Sequence, residues 1–87
     1  MKVIRKAIMK DGTHIQIEDW SENYSFVKFA DTIAAYPTVR GERLRAEKRF
    51  DSAEATSKAF EKLLNGASLE TFGFTKKKAG RDVPYTE

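Results

Sequence analysis

The residues best suited to chemistry in this chain are arginines at alternate positions. In Glu42-Arg43-Leu44-Arg45-Ala46-Glu47-Lys48-Arg49-Phe50, the apolar Leu44, Ala46 and Phe50 alternate with Arg43, Arg45, Glu47 and Arg49. A period of two puts the apolar set on one face of a strand and the charged set on the other. Guanidinium groups on an exposed sheet face suit phosphate oxygens and base edges, because each offers a planar fork of N–H donors. Lys76, Lys77, Lys78 and Arg81 form a second cluster with no acid among them, able to add affinity for a phosphate backbone whatever its sequence. Two blander readings stand beside this one. The charges could be ordinary solvated surface, or Glu18 and Glu47 could consume the arginines in cross-strand ion pairs.

Other residues invite chemistry less. His14 is the single histidine and there is no cysteine, so a metal site within one chain is not expected. His14 reads as an exposed strand residue near a hairpin tip, with no nucleophile beside it in sequence. No Gly-x-x-x-x-Gly-Lys-Ser/Thr loop, Gly-x-Gly-x-x-Gly fingerprint or Gly-x-Ser-x-Gly elbow occurs, and no cofactor is expected. The acids Asp11, Glu18, Asp19, Glu22 and Asp31 show no ordering that suggests a catalytic pair. An enzyme therefore ranks behind the binding readings. Trp20 ends a strand in an acidic setting and reads as an aromatic closing one end of the core, or else as a contact residue. Tyr24, Phe26, Val27 and Phe29 follow in a turn-rich stretch, and the rings there are expected to pack down on the sheet, the alternative being an exposed platform for stacking bases.

Several elements must position these side chains. Lys2–Lys10 and Thr13–Asp19 read as strands joined by Asp11-Gly12, a pair suited to a two-residue hairpin turn. That turn sets Ile8 opposite Ile15, Lys6 opposite Ile17 and Arg5 opposite Glu18. Ile4, Ile8, Ile15 and Ile17 then share a core face, on which Lys6 is the misfit. Thr32–Tyr36 reads as a third strand ended by Pro37, followed by an irregular loop through Gly41. After the basic strand, Asp51 or Ser52 can cap a helix Ser52–Asn65, in which Thr56, Ala59, Phe60 and Leu63 fall on one face. Asn65-Gly66 supplies the stop. Leu69, Phe72 and Phe74 are further core candidates. Residues 1–74 are expected to form a single domain, with 75–87 a flexible basic tail.

Composition bounds the rest. The chain has 87 residues, 40% hydrophobic and 33% charged, and a formal charge of +3. That suits one modest folded core rather than a disordered chain. No apolar run approaches a membrane span, and charges run through the N-terminal residues. Missing cysteine fits a reducing compartment, so a cytoplasmic location is expected.

The stretches Met9-Lys10-Asp11-Gly12-Thr13, Ile17-Glu18-Asp19-Trp20, Ala34-Ala35-Tyr36-Pro37 and Phe50-Asp51-Ser52-Ala53-Glu54 resemble parts of small uncharacterised proteins carried by bacterial phages and conjugative elements. The resemblance spans roughly residues 8–66 and includes no motif of known chemistry. It implies a cytoplasmic accessory protein of a mobile element, a binder rather than an enzyme.

The expected fold is α+β: an antiparallel sheet of three or four strands in meander order, with the helix across one face. The opposite face would carry Arg43, Arg45 and Arg49, joined by Arg5 if the first strand lies alongside. Two functions follow. The first is nucleic-acid binding through that face and the basic residues Lys76, Lys77, Lys78 and Arg81. The second is docking on a larger protein, with an edge strand pairing and Trp20, Tyr24 or Tyr36 as anchors. No membrane partner is expected, and the chain reads as a monomer or weak homodimer. A continuous positive face favours the first function. Alternating signs beside an exposed aromatic cluster favour the second.

Overall fold

A computed structural model describes residues 1–78 and 81–84, those from 76 onward by their backbone. The chain is an α+β fold, with strands β1 (Lys2–Ile8), β2 (His14–Asp19), β3 (Thr32–Tyr36), β4 (Thr38–Val39), β5 (Glu42–Arg43) and β6 (Arg45–Arg49). Helix α1 (Ala53–Leu64), a 3₁₀ turn (Leu69–Phe72), β7 (Thr75–Lys78) and β8 (Arg81–Pro84) follow. The main sheet has the order β1-β2-β3-β6-β7-β8, antiparallel throughout. Its first four strands are the expected meander. The backbone of β7 and β8 carries the sheet on into the stretch whose sequence predicts a tail, while residues 79–80 and 85–87 lie outside the described residues.

Helix α1 forms where its pattern places it. Ser52 sits in extended conformation before it, and its hydroxyl accepts from the Ala55 N–H at 3.0 Å. Thr56, Ala59, Phe60 and Leu63 are buried, one face at helical spacing. At the far end the Gly66 N–H donates to the Leu63 carbonyl and the Ala67 N–H to the Lys62 carbonyl. That pair of bonds is a Schellman motif, which satisfies carbonyls the helix leaves over. The buried face meets Ile15, Ile17, Ile33, Ala35 and Ala46 from the sheet, and Leu69 and Phe74 close the same cluster.

The N-terminal hairpin departs from the expected register by one residue. The Gly12 N–H donates to the Met9 carbonyl at 2.9 Å, and the Met9 N–H to the Thr13 carbonyl at 2.8 Å. Gly12 takes φ +92°. The loop is thus Lys10-Asp11-Gly12, a turn followed by a glycine at positive φ, the common three-residue hairpin. Asp11 favours it by accepting from the Thr13 N–H at 2.9 Å. Ile8 consequently faces His14, Ala7 faces Ile15, Lys6 faces Gln16 and Arg5 faces Ile17. A slip of one residue turns every side chain of a strand to the other face. Ile15 and Ile17 are buried as expected, but Ile4 and Ile8 are exposed. Lys6 leaves the core face and Arg5 joins it, its guanidinium 4.8 Å from the centre of the Phe60 ring and paired with Glu61. Arg5 is therefore not among the arginines of the opposite face, and β1 lies at the sheet edge away from β6.

The second hairpin corrects a boundary. The basic stretch is two short strands rather than one, divided at Leu44. Pro37 interrupts β3–β4 at the matching point, and the Leu44 N–H donates to its carbonyl at 2.9 Å. Proline can accept there but cannot donate, so the ladder loses one rung and continues. Thr38 faces Arg43 and Val39 faces Glu42. The connection is Arg40-Gly41 with both residues at positive φ, as a type I′ turn requires, and not an irregular loop.

Candidate functional site: the sheet face opposite the helix

The register aligns His14 with Tyr36, Gln16 with Ala34 and Glu18 with Thr32, while Ala34 faces Glu47 and Thr32 faces Arg49. Facing residues share a side, so these and Arg45 occupy the face away from α1. Glu18 is the centre of that face and is wholly buried. Arg45 grips it with both prongs, Nη2 to Oε1 at 2.8 Å and Nη1 to Oε2 at 3.1 Å. Gln16 Nε2 donates to Oε2 at 2.6 Å and the Trp20 indole N–H to Oε1 at 2.9 Å. Arg45 also donates to the Tyr36 hydroxyl at 2.8 Å and to Glu47 Oε2 at 3.0 Å. Four donors on one carboxylate fill its acceptor positions, which is what a buried charge needs.

The electrostatics follow from these bonds. Burial pushes the Glu18 carboxyl up, and the hydrogen bonds from Arg45, Gln16 and Trp20 outweigh it, leaving its pKa below the usual carboxylate value. The hydrogen bond to Glu18 likewise raises the Arg45 pKa further, against its own burial. Both groups are thus held charged near neutral pH. This pair is a structural clasp and not an acid–base couple. Among the described residues, no three His, Asp or Glu side chains are gathered as a metal ion would need.

The aromatic stretch between β2 and β3 does not pack down on the sheet. Trp20 and Tyr24 have ring centres 6.1 Å apart, and Tyr24 and Phe26 5.5 Å apart. Phe26 is 69% exposed, Phe29 60% and Tyr24 48%. The Trp20–Tyr24–Phe26 row walls an open groove of about 730 Å³ floored by Thr32, Arg45, Glu47 and Arg49. Asp31, fully enclosed, secures the loop by accepting from the Lys28 N–H and from the Thr32 hydroxyl. Lys28 in turn donates to the Asp51 carbonyl at 2.8 Å. These bonds hold the loop while its rings point outward.

Of the seven residues proposed from sequence, the backbone register sets Lys77 opposite Arg45 and Arg81 opposite Lys78, while Arg43 and Arg49 stand apart. Arg45 is consumed by Glu18 and Glu47, as the ion-pair alternative has it. Arg49 is exposed at the end of β6, its guanidinium 5.3 Å from the centre of the Phe26 ring. Arg43 sits on the separate β4–β5 ribbon, exposed, 5.8 Å from the Tyr36 ring centre. It lines a polar recess of about 410 Å³ with His14, Thr13 and Thr38, where His14 stands at the hairpin tip as an exposed strand residue. Lys76, Lys77 and Lys78 belong to β7 and Arg81 to β8, placed by their backbone alone. Sequence reasoning missed Gln16, Trp20 and Tyr36 as partners of the Glu18–Arg45 clasp. Gln16, Glu18 and Trp20 at alternate positions are the signal that could have found two of them. No family model, curated protein or solved structure matches the chain, so no relative bears on its resemblance to phage and conjugative-element proteins.

Proposed function

We propose that this chain is a non-enzymatic docking module that engages a larger protein through the open sheet face, with Tyr24, Phe26 and Phe29 as anchors. One observation carries the reading: three aromatic residues, 48% to 69% exposed, stand on a loop that hydrogen bonds hold in place. Large rings displayed on a fixed support bind with little ordering cost, and aromatic residues dominate the energetic centres of protein interfaces. Charge supports the same choice. Arg45 lies between Glu18 and Glu47, so the face alternates in sign instead of presenting a run of positive groups. No described helix is long and apolar enough to cross a membrane. A reducing cytoplasm suits a chain without cysteine.

The competing nucleic-acid reading keeps Arg49 stacked on Phe26, a cation and a ring that could take a phosphate and its base together. One experiment separates them. The chain and its Tyr24→Ser/Phe26→Ser variant are used to capture partners from nuclease-treated lysate, and both are titrated with single- and double-stranded DNA at several salt concentrations. The docking reading expects a stoichiometric protein retained by the parent chain and lost with the variant, and DNA affinity no better than about millimolar. Micromolar DNA binding with a log-linear salt slope, and no retained protein, would overturn it.

A further inference from the structure

Among the described residues seven large apolar side chains are exposed, and Met1, Val3, Ile4 and Ile8 are four of them. All four belong to β1 or immediately precede it, and β1 is an edge of the main sheet. The other three are the ring residues of the aromatic loop. The two groups adjoin: Met1 lines the groove with Trp20, Tyr24 and Phe26, and Lys2 pairs with Glu22 at 3.2 Å. Lys2, Lys6 and a bulge are what ordinarily protects an idle edge, yet β1 also displays three apolar side chains, Val3, Ile4 and Ile8. The opposite edge strand, β8, contains Pro84, which lacks an amide donor.

The free hydrogen-bonding groups of β1 can be located. The Met9 N–H points inward to Thr13. In an antiparallel ladder inward and outward residues alternate, so Ala7 and Arg5 also point toward β2. The N–H and C=O of Lys6 and Ile8 therefore face outward. The side chains of these two residues, opposite Gln16 and His14, stand on the open face. A bulge between Val3 and Arg5 breaks the edge just before them. The usable edge is thus short, Arg5–Ile8, with a cation and an apolar group side by side. Arg5 is neutralised by Glu61 on the helix side. Lys6 has no acidic partner among the described residues.

We propose that β1 is a strand-addition site whose occupant is an extended segment of a partner protein, bearing an acidic side chain beside Lys6 and an apolar one two residues away beside Ile8. This rests on the docking reading and names what the partner brings. Main-chain bonds to Lys6 and Ile8 give the attachment, and the alternating side chains give the selection. Charge chooses the occupant. A second copy pairing antiparallel about Lys6 would set the two lysines face to face, which is unfavourable for directly facing side chains, and one pairing about Ala7 would set each Lys6 opposite Ile8 with no acid to meet it. An acidic side chain on a partner segment supplies what a copy does not, so Lys6 favours that occupant. A segment running from Ile8 toward Met1 arrives at Tyr24 and Phe26.

The test is selection from a display library of short random linear peptides on the immobilised chain, on Lys6→Glu and on Lys6→Gln. The parent chain should enrich peptides with Asp or Glu flanked two residues away by Val, Ile, Leu or Phe. Their addition should shift the amide resonances of Lys6 and Ile8 and slow the exchange of those amides with solvent. Lys6→Glu should weaken them about tenfold, Lys6→Gln less, and selection on Lys6→Glu should turn to Lys or Arg at the same position. Peptides without an acidic preference, an unchanged consensus on Lys6→Glu, or self-association that shifts the Lys6 amide would each overturn the inference. Peptides that respond to Phe26→Ser and not to Lys6→Glu would overturn it while leaving the docking reading in place. Recovery of no peptide also counts against the strand-addition site, and lysate capture then judges the docking reading separately.

Discussion

The two faces of this sheet are built from alternate residues of the same strands and held by opposite means. On the helix side, Ile15, Ile17, Ile33, Ala35 and Ala46 meet Phe60 and Leu63, and each contact is non-directional. On the other side, Gln16, Glu18, Tyr36, Arg45 and Glu47 are joined by bonds of fixed length and angle. Loss of area costs the apolar face in proportion to what is removed. The polar face fails by orphaning a group, since a buried charge without its partner costs more than the pair contributed. The first face accounts for stability. The second joins the charged groups of the uncovered side to one another, Arg45 to Glu18 and to Glu47.

The largest effect should come from the apolar side. Phe60→Ala removes a wholly buried ring and should cost about 3–5 kcal/mol, leaving so small a domain largely unfolded. Urea denaturation followed by tryptophan fluorescence measures this. A melting temperature equal to the parent's would show that the helix face is assigned wrongly.

Next comes the clasp, and here the two faces part. Arg45→Gln leaves Glu18 buried with only Gln16 and Trp20 as donors, and about 2–4 kcal/mol should be lost at neutral pH, because Arg45 keeps some exposure that tempers the penalty. Its pH dependence is the sharper signature. Glu18 has a lowered pKa in the fold. It therefore binds protons less readily folded than unfolded. Its contribution is present above the ordinary value of 4.5 and disappears as pH falls through the lower folded value. The parent chain should lose stability on moving from neutral to about pH 3, and Arg45→Gln should lose less, since burial then favours protonated Glu18. Equal acid sensitivity in the two chains would remove Glu18 from the account.

Smaller still is the effect of stripping the exposed rim. Phe26→Ser, Arg43→Gln and Arg49→Gln should each leave unfolding free energy within about 0.5 kcal/mol of the parent. Phe26→Ser alone should abolish capture of a protein partner. Arg40→Asn should gain a few tenths of a kcal/mol at most, since asparagine tolerates the positive φ that Arg40 adopts in its turn. A loss there, read in the same denaturation, would mean that the arginine side chain contributes more than its backbone strain subtracts.

Legibility in the sequence follows the same division. Helix α1, a cap at Asp51 or Ser52 and the buried face are local properties, written within four residues of one another, and the structure shows them, with Ser52 as the cap. Hairpin register is different. Asp-Gly is compatible with a two-residue and with a three-residue turn, and only the pairing chooses. Lys6 on the supposed core face was the sign of the wrong choice. The exposed rings of Phe26 and Phe29 were illegible because no periodicity governs a loop, and a small core makes inward packing the default expectation. Arg45 was legible as an arginine of the open face. Its capture by Glu18 depends on β2, β3 and β6 lying side by side, which sequence separation conceals.

The three-residue turn Lys10-Asp11-Gly12 also decides what the protein shows to its surroundings. β1 has two serviceable sides: Ile4, Lys6 and Ile8 on one, Arg5, Ala7 and Met9 on the other. Closing the hairpin through a two-residue Asp11-Gly12 turn, with Lys10 drawn into the strand, would pair Ile8 with Ile15 and exchange the two sets. A change of turn type would thus rewrite the outward edge without altering any residue on it. Turn type is a heritable setting here, and related chains whose turn residues choose the other hairpin would present different recognition surfaces on the same strands.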